Sequence, residues 1–130
     1  MSNIELQRIL FVEDEADIQA VAQVALEAVG GFTVAICSSG EEALQTAEAF
    51  APQLILSDVM MPGMDGPATL AALRRLPGMA DTPAIFMTAK VLPHEVQQLR
   101  ASGAIEVIAK PFDPMSLAQQ IKDIWRRHHA

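Results

Sequence analysis

Five short apolar, β-prone runs recur along this chain, separated from one another by longer amphipathic stretches. The runs cover residues 8–13, 32–37, 53–58, 84–88 and 105–109. Residues 9–12 and 54–56 are apolar at consecutive positions, which is typical of strands buried on both faces of a parallel sheet. Parallel strands need long crossover connections, and the intervening stretches are long enough to be helices. The alternation therefore predicts an α/β fold with helices on both faces of a five-stranded parallel sheet.

The stretches between the runs carry helix signals. In the first stretch, apolar residues spaced for one helical stripe are followed by Gly30 and Gly31, which end the helix. The stripe comprises Ile18, Val21, Ala22, Ala25 and Val29. The second helix begins at Ser39, whose hydroxyl is expected to cap the Glu42 amide while the Glu42 side chain reaches back.

The other three helices also have recognisable ends. The third is expected at about residues 65–76, before Pro77 and Gly78, and the fourth at about 93–102, before Gly103. In the fifth, Asp113 is expected to be the N-cap, with Pro114 in the first turn. The apolar residues that come next at helical spacing are Leu117, Ile121, Ile124 and Trp125. These four, including the tryptophan, are therefore predicted to face the core.

Consecutive βα units joined by right-handed crossovers form a doubly wound sheet, and the flavodoxin-like (βα)5 order 2-1-3-4-5 is the best match. The length of 130 residues falls in the usual range of one domain. There is no internal repeat beyond the βα rhythm and no linker to a second domain. We therefore expect a single domain over residues 1–130, with its core at about residues 8–125.

Composition restricts the classes of partner. The net charge of −7 disfavours contact with a phosphate backbone, so no direct nucleic-acid binding is expected. No apolar run approaches the roughly 18 residues of a membrane helix, and signal-peptide features are missing. A cytoplasmic protein without membrane association is therefore expected. The only cysteine, Cys37, is expected to be a small buried residue at a strand end rather than a reactive thiol.

Acidic, hydroxyl and basic side chains collect where the predicted strands end. Glu13 and Asp14 come after the first run, and Asp58 ends the third. Thr88 ends the fourth run, and Lys110 comes after the fifth. Ligands of such sheets bind at the carboxyl ends of the strands, and strands one and three are neighbours in the predicted order. The carboxylates are therefore expected to lie side by side.

Crowded carboxylates repel one another unless a cation joins them, and two or three carboxylates with open positions for water suit Mg²⁺. Asp14 and Asp58 are the predicted direct ligands. Glu13 is expected to act through a coordinated water, and the backbone carbonyl of Met60 to complete the protein's share. The bound Mg²⁺ would then be free to bind a phosphoryl oxygen as well.

This set of groups matches the needs of phosphoryl transfer. Asp58 would be the nucleophile and form an acyl phosphate, Lys110 would place a positive charge on a phosphoryl oxygen, and Thr88 would contribute its hydroxyl. Taken singly, each residue has an ordinary interpretation as a helix cap, a strand-end residue or a surface charge. Their convergence at one edge of the sheet favours the functional interpretation.

The motifs around these residues are ILFVEDE, LILSDVMMPGMDG, FMTAK and AKPF. With them the chain resembles the receiver domain of bacterial two-component response regulators, the family that includes the single-domain chemotaxis regulator. The resemblance implies that Asp58 is phosphorylated by the phosphohistidine of a histidine kinase or histidine phosphotransfer protein, with Mg²⁺. It also implies that the acyl phosphate is eventually hydrolysed and that phosphorylation changes the contact with a downstream protein partner.

The resemblance assigns further roles. Thr88 matches the switch hydroxyl, while Met60 and Lys90 match positions that flank the path of the attacking water. The bond between Lys110 and Pro111 matches one that is usually cis. One position departs from the family, because Val107 replaces an aromatic ring that reports the state of the switch hydroxyl. The usual aromatic rotation is therefore not expected. The family implies either a monomer or a phosphorylation-dependent dimer, and Val107 weakens the usual route to the dimer.

Two other functions compete with the stand-alone, non-enzymatic signalling module. The first is a phosphatase or phosphotransferase that uses a phospho-aspartate, as in haloacid dehalogenase-like hydrolases. Those enzymes usually carry a second aspartate two residues after the nucleophile, where this chain has Met60. The second is a receiver-like binding module that is never phosphorylated, and the complete set of acceptor residues argues against it.

Overall fold

The computed structural model describes residues 4–129 and contains one five-stranded parallel sheet. The strands are β1 (Arg8–Val12), β2 (Thr33–Cys37), β3 (Leu54–Asp58), β4 (Ala84–Thr88) and β5 (Glu106–Ala109), in the order β2-β1-β3-β4-β5. The helices are α1 (Ala16–Gln23), continued by a π-helical segment (Val24–Val29), and α2 (Gly40–Phe50), α3 (Gly66–Leu73), α4 (Pro93–Ala101) and α5 (Leu117–His128). The flavodoxin-like fold and its strand order are thus confirmed, and each predicted strand is correct to within one residue at either end.

Two apolar layers cover the faces of the sheet. On one face, α1, the π-helical segment and α5 pack over alternate strand residues, including the fully buried Phe11 and Leu56. On the other face, α2 and α3 pack over Leu10, Ile55 and Phe86. Because successive residues of a strand point to opposite faces, the consecutive apolar runs supply both layers at once.

The predicted apolar stripe of α1 is wrong at two positions. Val21 and Val29 are exposed, whereas Ala22, Ala25 and Leu26 are buried. The turns of the π-helical segment are wider than those of an α-helix, so they rotate Val29 away from the core. The helix nevertheless ends at the predicted glycines, and Gly31 has a φ of 77°, a conformation that glycine adopts without strain.

The predicted cap of α2 is confirmed, and α3 is shorter than predicted. Ser39 Oγ accepts the Glu42 amide at 3.1 Å, although the Glu42 carboxylate reaches back to the amide of Ser38 rather than Ser39. Asp65 caps α3, but this helix ends at Leu73, three residues before the predicted end. The chain continues in tight turns with hydrogen bonds between residues three apart.

The helix α5 begins later than predicted. The Asp113 carboxylate accepts the amide of Met115, so it caps a turn that precedes the helix, and the N-cap of α5 itself is Ser116. The four predicted core residues of α5, Trp125 among them, are buried as expected, and so is Cys37. None of the helices within residues 4–129 is long and apolar enough to cross a membrane.

Candidate functional site

The strand register brings the predicted site residues to one edge of the sheet. Val12 pairs with Ser57 of β3, so Glu13 and Asp58 occupy neighbouring positions at the ends of their strands. On the other side of β3, Asp58 pairs with Met87, which places Thr88 one residue beyond it on β4. Thr88 pairs in turn with Ala109, the residue before Lys110.

Three carboxylates form a compact cluster at this edge. Glu13, Asp14 and Asp58 each offer an oxygen, and these oxygens all lie within 4.8 Å of one another. Glu13 is fully buried and Asp58 is only 6% exposed, whereas Asp14 is exposed. Such a set of hard oxygen donors, open to solvent on one side, fits Mg²⁺, which keeps several waters when bound to protein carboxylates.

Lys110 lies between two of these carboxylates. Its Nζ is 3.1 Å from Glu13 Oε1 and 3.3 Å from Asp58 Oδ1, and its side chain is only 15% exposed. Glu13 is therefore at least as close to the lysine as Asp58 is, a pairing that the sequence analysis did not predict. The peptide bond between Lys110 and Pro111 is cis, as the resemblance implied.

Burial and charge shift two pKa values in this cluster. Burial raises the pKa of Glu13 above its ordinary value, and the neighbouring Asp58 acts in the same direction. The Glu15 amide and Lys110 oppose this shift without cancelling it. Burial lowers the pKa of Lys110, but contacts with Glu13 and Asp58 outweigh this effect, and the net shift is upward. The ammonium thus stays charged beside the two carboxylates.

Backbone contacts fix the orientation of the other site residues. Asp58 Oδ1 accepts the amide of Val59 at 2.9 Å, which leaves the second carboxylate oxygen outside this bond. Thr88 Oγ1 accepts the amide of Lys90 at 3.0 Å, so the threonine hydroxyl is tied to the loop after β4. Gly66 allows close packing here, because a Cβ atom at this position would lie 2.5 Å from the Asp58 carbonyl oxygen.

The remaining residues singled out from the sequence lie on the loops after β3 and β4 and in β5. The side chain of Met60 is 64% exposed on the loop after β3, and Lys90 is exposed on the loop after β4. Val107 is half-buried in the edge strand β5, opposite Phe86. A residue that the sequence analysis missed is Gln19, whose amide nitrogen donates to the Glu13 carbonyl at 2.5 Å. A glutamine one helical turn into α1 gave no sequence signal for this contact.

Comparison with known proteins agrees with this fold. The family model for the response regulator receiver domain matches residues 9–122. The chain therefore belongs to the response regulator receiver domain family, whose members act in two-component signalling.

Individual relatives show the same relationship. The chain is 31% identical to response regulator Rre1 of a Synechocystis species and 34% identical to DNA-binding response regulator MtrA of Mycolicibacterium paratuberculosis. Both alignments cover 94% of this chain but only 53% and 52% of those proteins. The chain thus spans about half the length of these curated relatives.

Solved structures resemble the chain over nearly its whole length. The Vibrio cholerae chemotaxis protein CheY4 superimposes with a TM-score of 0.84 at 29% identity, covering 92% of this chain and 99% of that one. The receiver domain of a histidine kinase from Syntrophus aciditrophicus gives a TM-score of 0.78 at 31% identity, covering 93% of this chain and 91% of that one.

Proposed function

We propose that this chain is a phospho-accepting receiver in which Asp58 takes a phosphoryl group from a phosphohistidine of a histidine kinase or a histidine phosphotransfer protein. The single observation that carries the proposal is the contact of Lys110 with both Asp58 and the fully buried Glu13. Burying two carboxylates beside a single lysine lowers the stability of the fold, so stability alone does not account for the arrangement. The arrangement suits a site that receives the positive charge of a metal ion and the negative charge of a phosphoryl group.

In the proposed reaction, an Asp58 carboxylate oxygen attacks phosphorus and forms an acyl phosphate, while the bond from phosphorus to the donor nitrogen breaks. Lys110 is close enough to Asp58 Oδ1 to reach a phosphoryl oxygen on that residue. The Thr88 hydroxyl would leave its contact with Lys90 and donate to another phosphoryl oxygen. This is acceptance of one group per chain rather than turnover of a substrate.

The proposed metal is Mg²⁺, held by Asp14 and Asp58 directly, by Glu13 through water and by the backbone carbonyl of Met60. The carboxylate cluster supports the first three roles. When bound, Mg²⁺ would neutralise charge on the phosphoryl oxygens. Because Glu13 is fully buried and paired with Lys110, its proposed contribution is to hold the lysine as well as a coordinated water.

Exposed apolar side chains around the acidic cluster support a protein as the phosphoryl donor. Met60, Leu92 and Met115 lie on the loops after β3, β4 and β5, at the same edge of the sheet as Asp58. Their exposures are 64%, 59% and 73%, which are high for large apolar residues. A protein surface would bury them on contact, whereas a small phosphodonor would gain little from them. Phosphorylation would then alter the contact with a downstream protein.

The acceptor role is tested with a small phosphodonor such as acetyl phosphate, on the wild type and on Asp58→Asn. We expect Mg²⁺-dependent labelling of one site in the wild type and no labelling of the variant, because an amide cannot form the acyl phosphate. Phosphate-affinity gel retardation gives the labelled fraction. The matched control is Asp81→Asn, since Asp81 is an exposed aspartate in the connection between α3 and β4.

Labelling that persists in Asp58→Asn would remove Asp58 as the acceptor. Multiple turnover on a generic phosphomonoester would instead place the chain among phospho-aspartate enzymes. A wild type that is neither labelled nor stabilised by Mg²⁺ would make it a binding module that is never phosphorylated.

A further inference from the structure

The turn between β1 and α1 carries two of the three clustered carboxylates, and Glu13 is held there by several hydrogen bonds. Its amide donates to the Cys37 carbonyl of β2 at 2.9 Å. Its carboxylate accepts the Glu15 amide at 3.1 Å and contacts Lys110 Nζ at the same distance. These contacts fix the strand side of the turn and the Glu13 side chain, while Asp14 next to it remains exposed.

The Glu13 carbonyl is fixed by a side chain outside the predicted acceptor set. Gln19 Nε2 donates to this carbonyl at 2.5 Å, across the turn and back from α1. The same nitrogen lies 3.1 Å from Ser38 Oγ in the loop after β2. One amide group therefore joins the acidic turn to the loop that leads into α2.

Ser38, at the other end of this connection, is also held by a hydrogen bond. The Ser38 amide donates to Glu42 Oε1 at 2.5 Å, and the Glu42 amide is capped by Ser39. A chain of hydrogen bonds thus runs from the first turn of α2 through Ser38 and Gln19 to the Glu13 carbonyl. This carbonyl belongs to the peptide group that joins Glu13 to Asp14, so its orientation sets the direction in which the Asp14 side chain leaves the backbone.

We infer that Gln19 is a positioning residue for the divalent cation, because it holds the peptide group between Glu13 and Asp14 in the orientation that lets Asp14 and Asp58 share one ion. The inference rests on the proposed function for the identity of the ion. Mg²⁺ tolerates little deviation from octahedral geometry, so a freely moving Asp14 would bind it less tightly than a fixed one. Gln19 itself acts through the backbone and contacts neither the ion nor the phosphoryl group.

The test uses Gln19→Met, which keeps the length of the side chain and removes its hydrogen-bond donor without adding charge. We expect the Mg²⁺ dissociation constant to rise about two- to tenfold, the equivalent of one hydrogen bond. Thermal unfolding over a series of MgCl₂ concentrations at constant ionic strength measures it, because a ligand of the folded state raises the midpoint according to its affinity. Gln19→Ala is the second variant if the methionine packs poorly.

The matched control is Gln23→Met. Gln23 lies one turn further along α1 on the exposed surface, and among residues 4–129 its amide bonds only to Glu27 in the same helical stretch, at 3.1 Å. This variant is expected to bind Mg²⁺ as the wild type does. Ser38→Ala removes only the second bond of Gln19, and a smaller change in the same direction is expected.

A second readout separates positioning from a general loss of structure. In labelling by acetyl phosphate, Gln19→Met should need more Mg²⁺ for half-maximal rate but reach the wild-type rate at saturating Mg²⁺. If the wild type and Gln19→Met have equal Mg²⁺ dissociation constants and need equal Mg²⁺ concentrations for half-maximal labelling, the inference is overturned, and Asp58 remains the proposed acceptor. A wild type that Mg²⁺ does not stabilise would overturn both the inference and the metal part of the proposed function.

Discussion

At the scale of single residues, the site depends on one lysine shared by two carboxylates. The sequence predicted which residues would meet, since Glu13, Asp58 and Lys110 each lie at or just after the end of a strand. It did not predict that Glu13 would be fully buried and paired with Lys110, because that depends on side-chain packing between strands that are distant in sequence. The contact between Gln19 and the Glu13 carbonyl escaped prediction for the same reason.

The shared lysine gives a prediction about stability. Lys110→Met should lower the free energy of unfolding by about 1–3 kcal/mol at neutral pH without Mg²⁺, because two buried carboxylates lose the hydrogen bonds of their only close cation among the described residues. Urea denaturation measures the loss. Lys122→Met on α5 is the control, since that ammonium is not paired with a carboxylate in the described part of the chain and lies 5.4 Å from the Phe32 ring.

Glu13 determines how the stability lost in Lys110→Met depends on pH. Its folded-state pKa is raised above the ordinary value of 4.5, so the folded protein binds more protons than the unfolded chain between these two values. Stability therefore rises as pH falls through that window, and most strongly in Lys110→Met, which lacks the opposing ammonium. A loss that stays the same as pH falls from 7 to the ordinary value of 4.5 would contradict the role assigned to Glu13.

At the scale of elements, α4 is attached differently from the other helices. All its side chains keep some exposure to solvent, whereas each of the other helices buries at least one residue. An ion pair connects it to the edge strand, with Arg100 Nη2 2.5 Å from Glu106 Oε1. The Glu106 carboxylate also accepts the Val107 amide at 3.0 Å. This pair therefore connects α4 to β5 beside the position where Val107 replaces the expected aromatic residue.

The ion pair between Arg100 and Glu106 predicts that the stability of the contact between α4 and β5 depends on pH. Burial raises the pKa of Glu106, but Arg100 and the Val107 amide outweigh this, and the net shift is downward. The stabilisation is thus present above the ordinary value of 4.5 and is lost as pH falls through the lower folded-state pKa. At neutral pH, Glu106→Gln should cost about 0.5 kcal/mol, a modest value because the Arg100 side chain is 51% exposed.

Amide exchange gives the more specific readout for this variant. The amides of α4 should exchange faster in Glu106→Gln at neutral pH, since the helix keeps little else to hold it. Asp123→Asn is the control, because the Asp123 carboxylate pairs with Arg126 inside α5 and forms no ion pair or hydrogen bond with a second element in the described part of the chain. Unchanged exchange of α4 in Glu106→Gln would show that apolar packing alone holds the helix.

Elements whose ends carry strong local signals were predicted well, and those without such signals were not. Glycines ended α4 and the π-helical segment that continues α1 where expected, because positive φ angles mark the ends of helices. The π-helical segment was missed because no local sequence signal marks it; at its end the chain packs closely against α5, since a Cβ on Gly30 would lie 2.8 Å from that of Ala118. The early end of α3 was also missed, and there Arg74 Nη2 donates to the carbonyls of Thr82 and Gly103 outside the helix.

At the scale of the whole molecule, the topology determines the site more than any single contact does. The order β2-β1-β3-β4-β5 places the ends of β1, β3, β4 and β5 in sequence along one edge, so residues up to 97 positions apart in sequence meet there. The alternation of apolar runs was sufficient to predict that order, and with it the edge at which the chemistry collects. The sequence pattern does not specify how the proposed phosphorylation would change the surface, because that change would depend on the side-chain packing around Thr88 and Val107.

The measurement that tests the central claim most directly locates the acyl phosphate on the chain. The wild type is labelled with acetyl phosphate and Mg²⁺, then treated with borohydride, which reduces an aspartyl phosphate to homoserine with release of phosphate. Tandem mass spectrometry of the peptides should find homoserine in place of Asp58, and none in samples prepared without Mg²⁺. Homoserine at another aspartate, or an unmodified Asp58 under conditions in which the chain is labelled, would contradict the assignment of Asp58 as the acceptor.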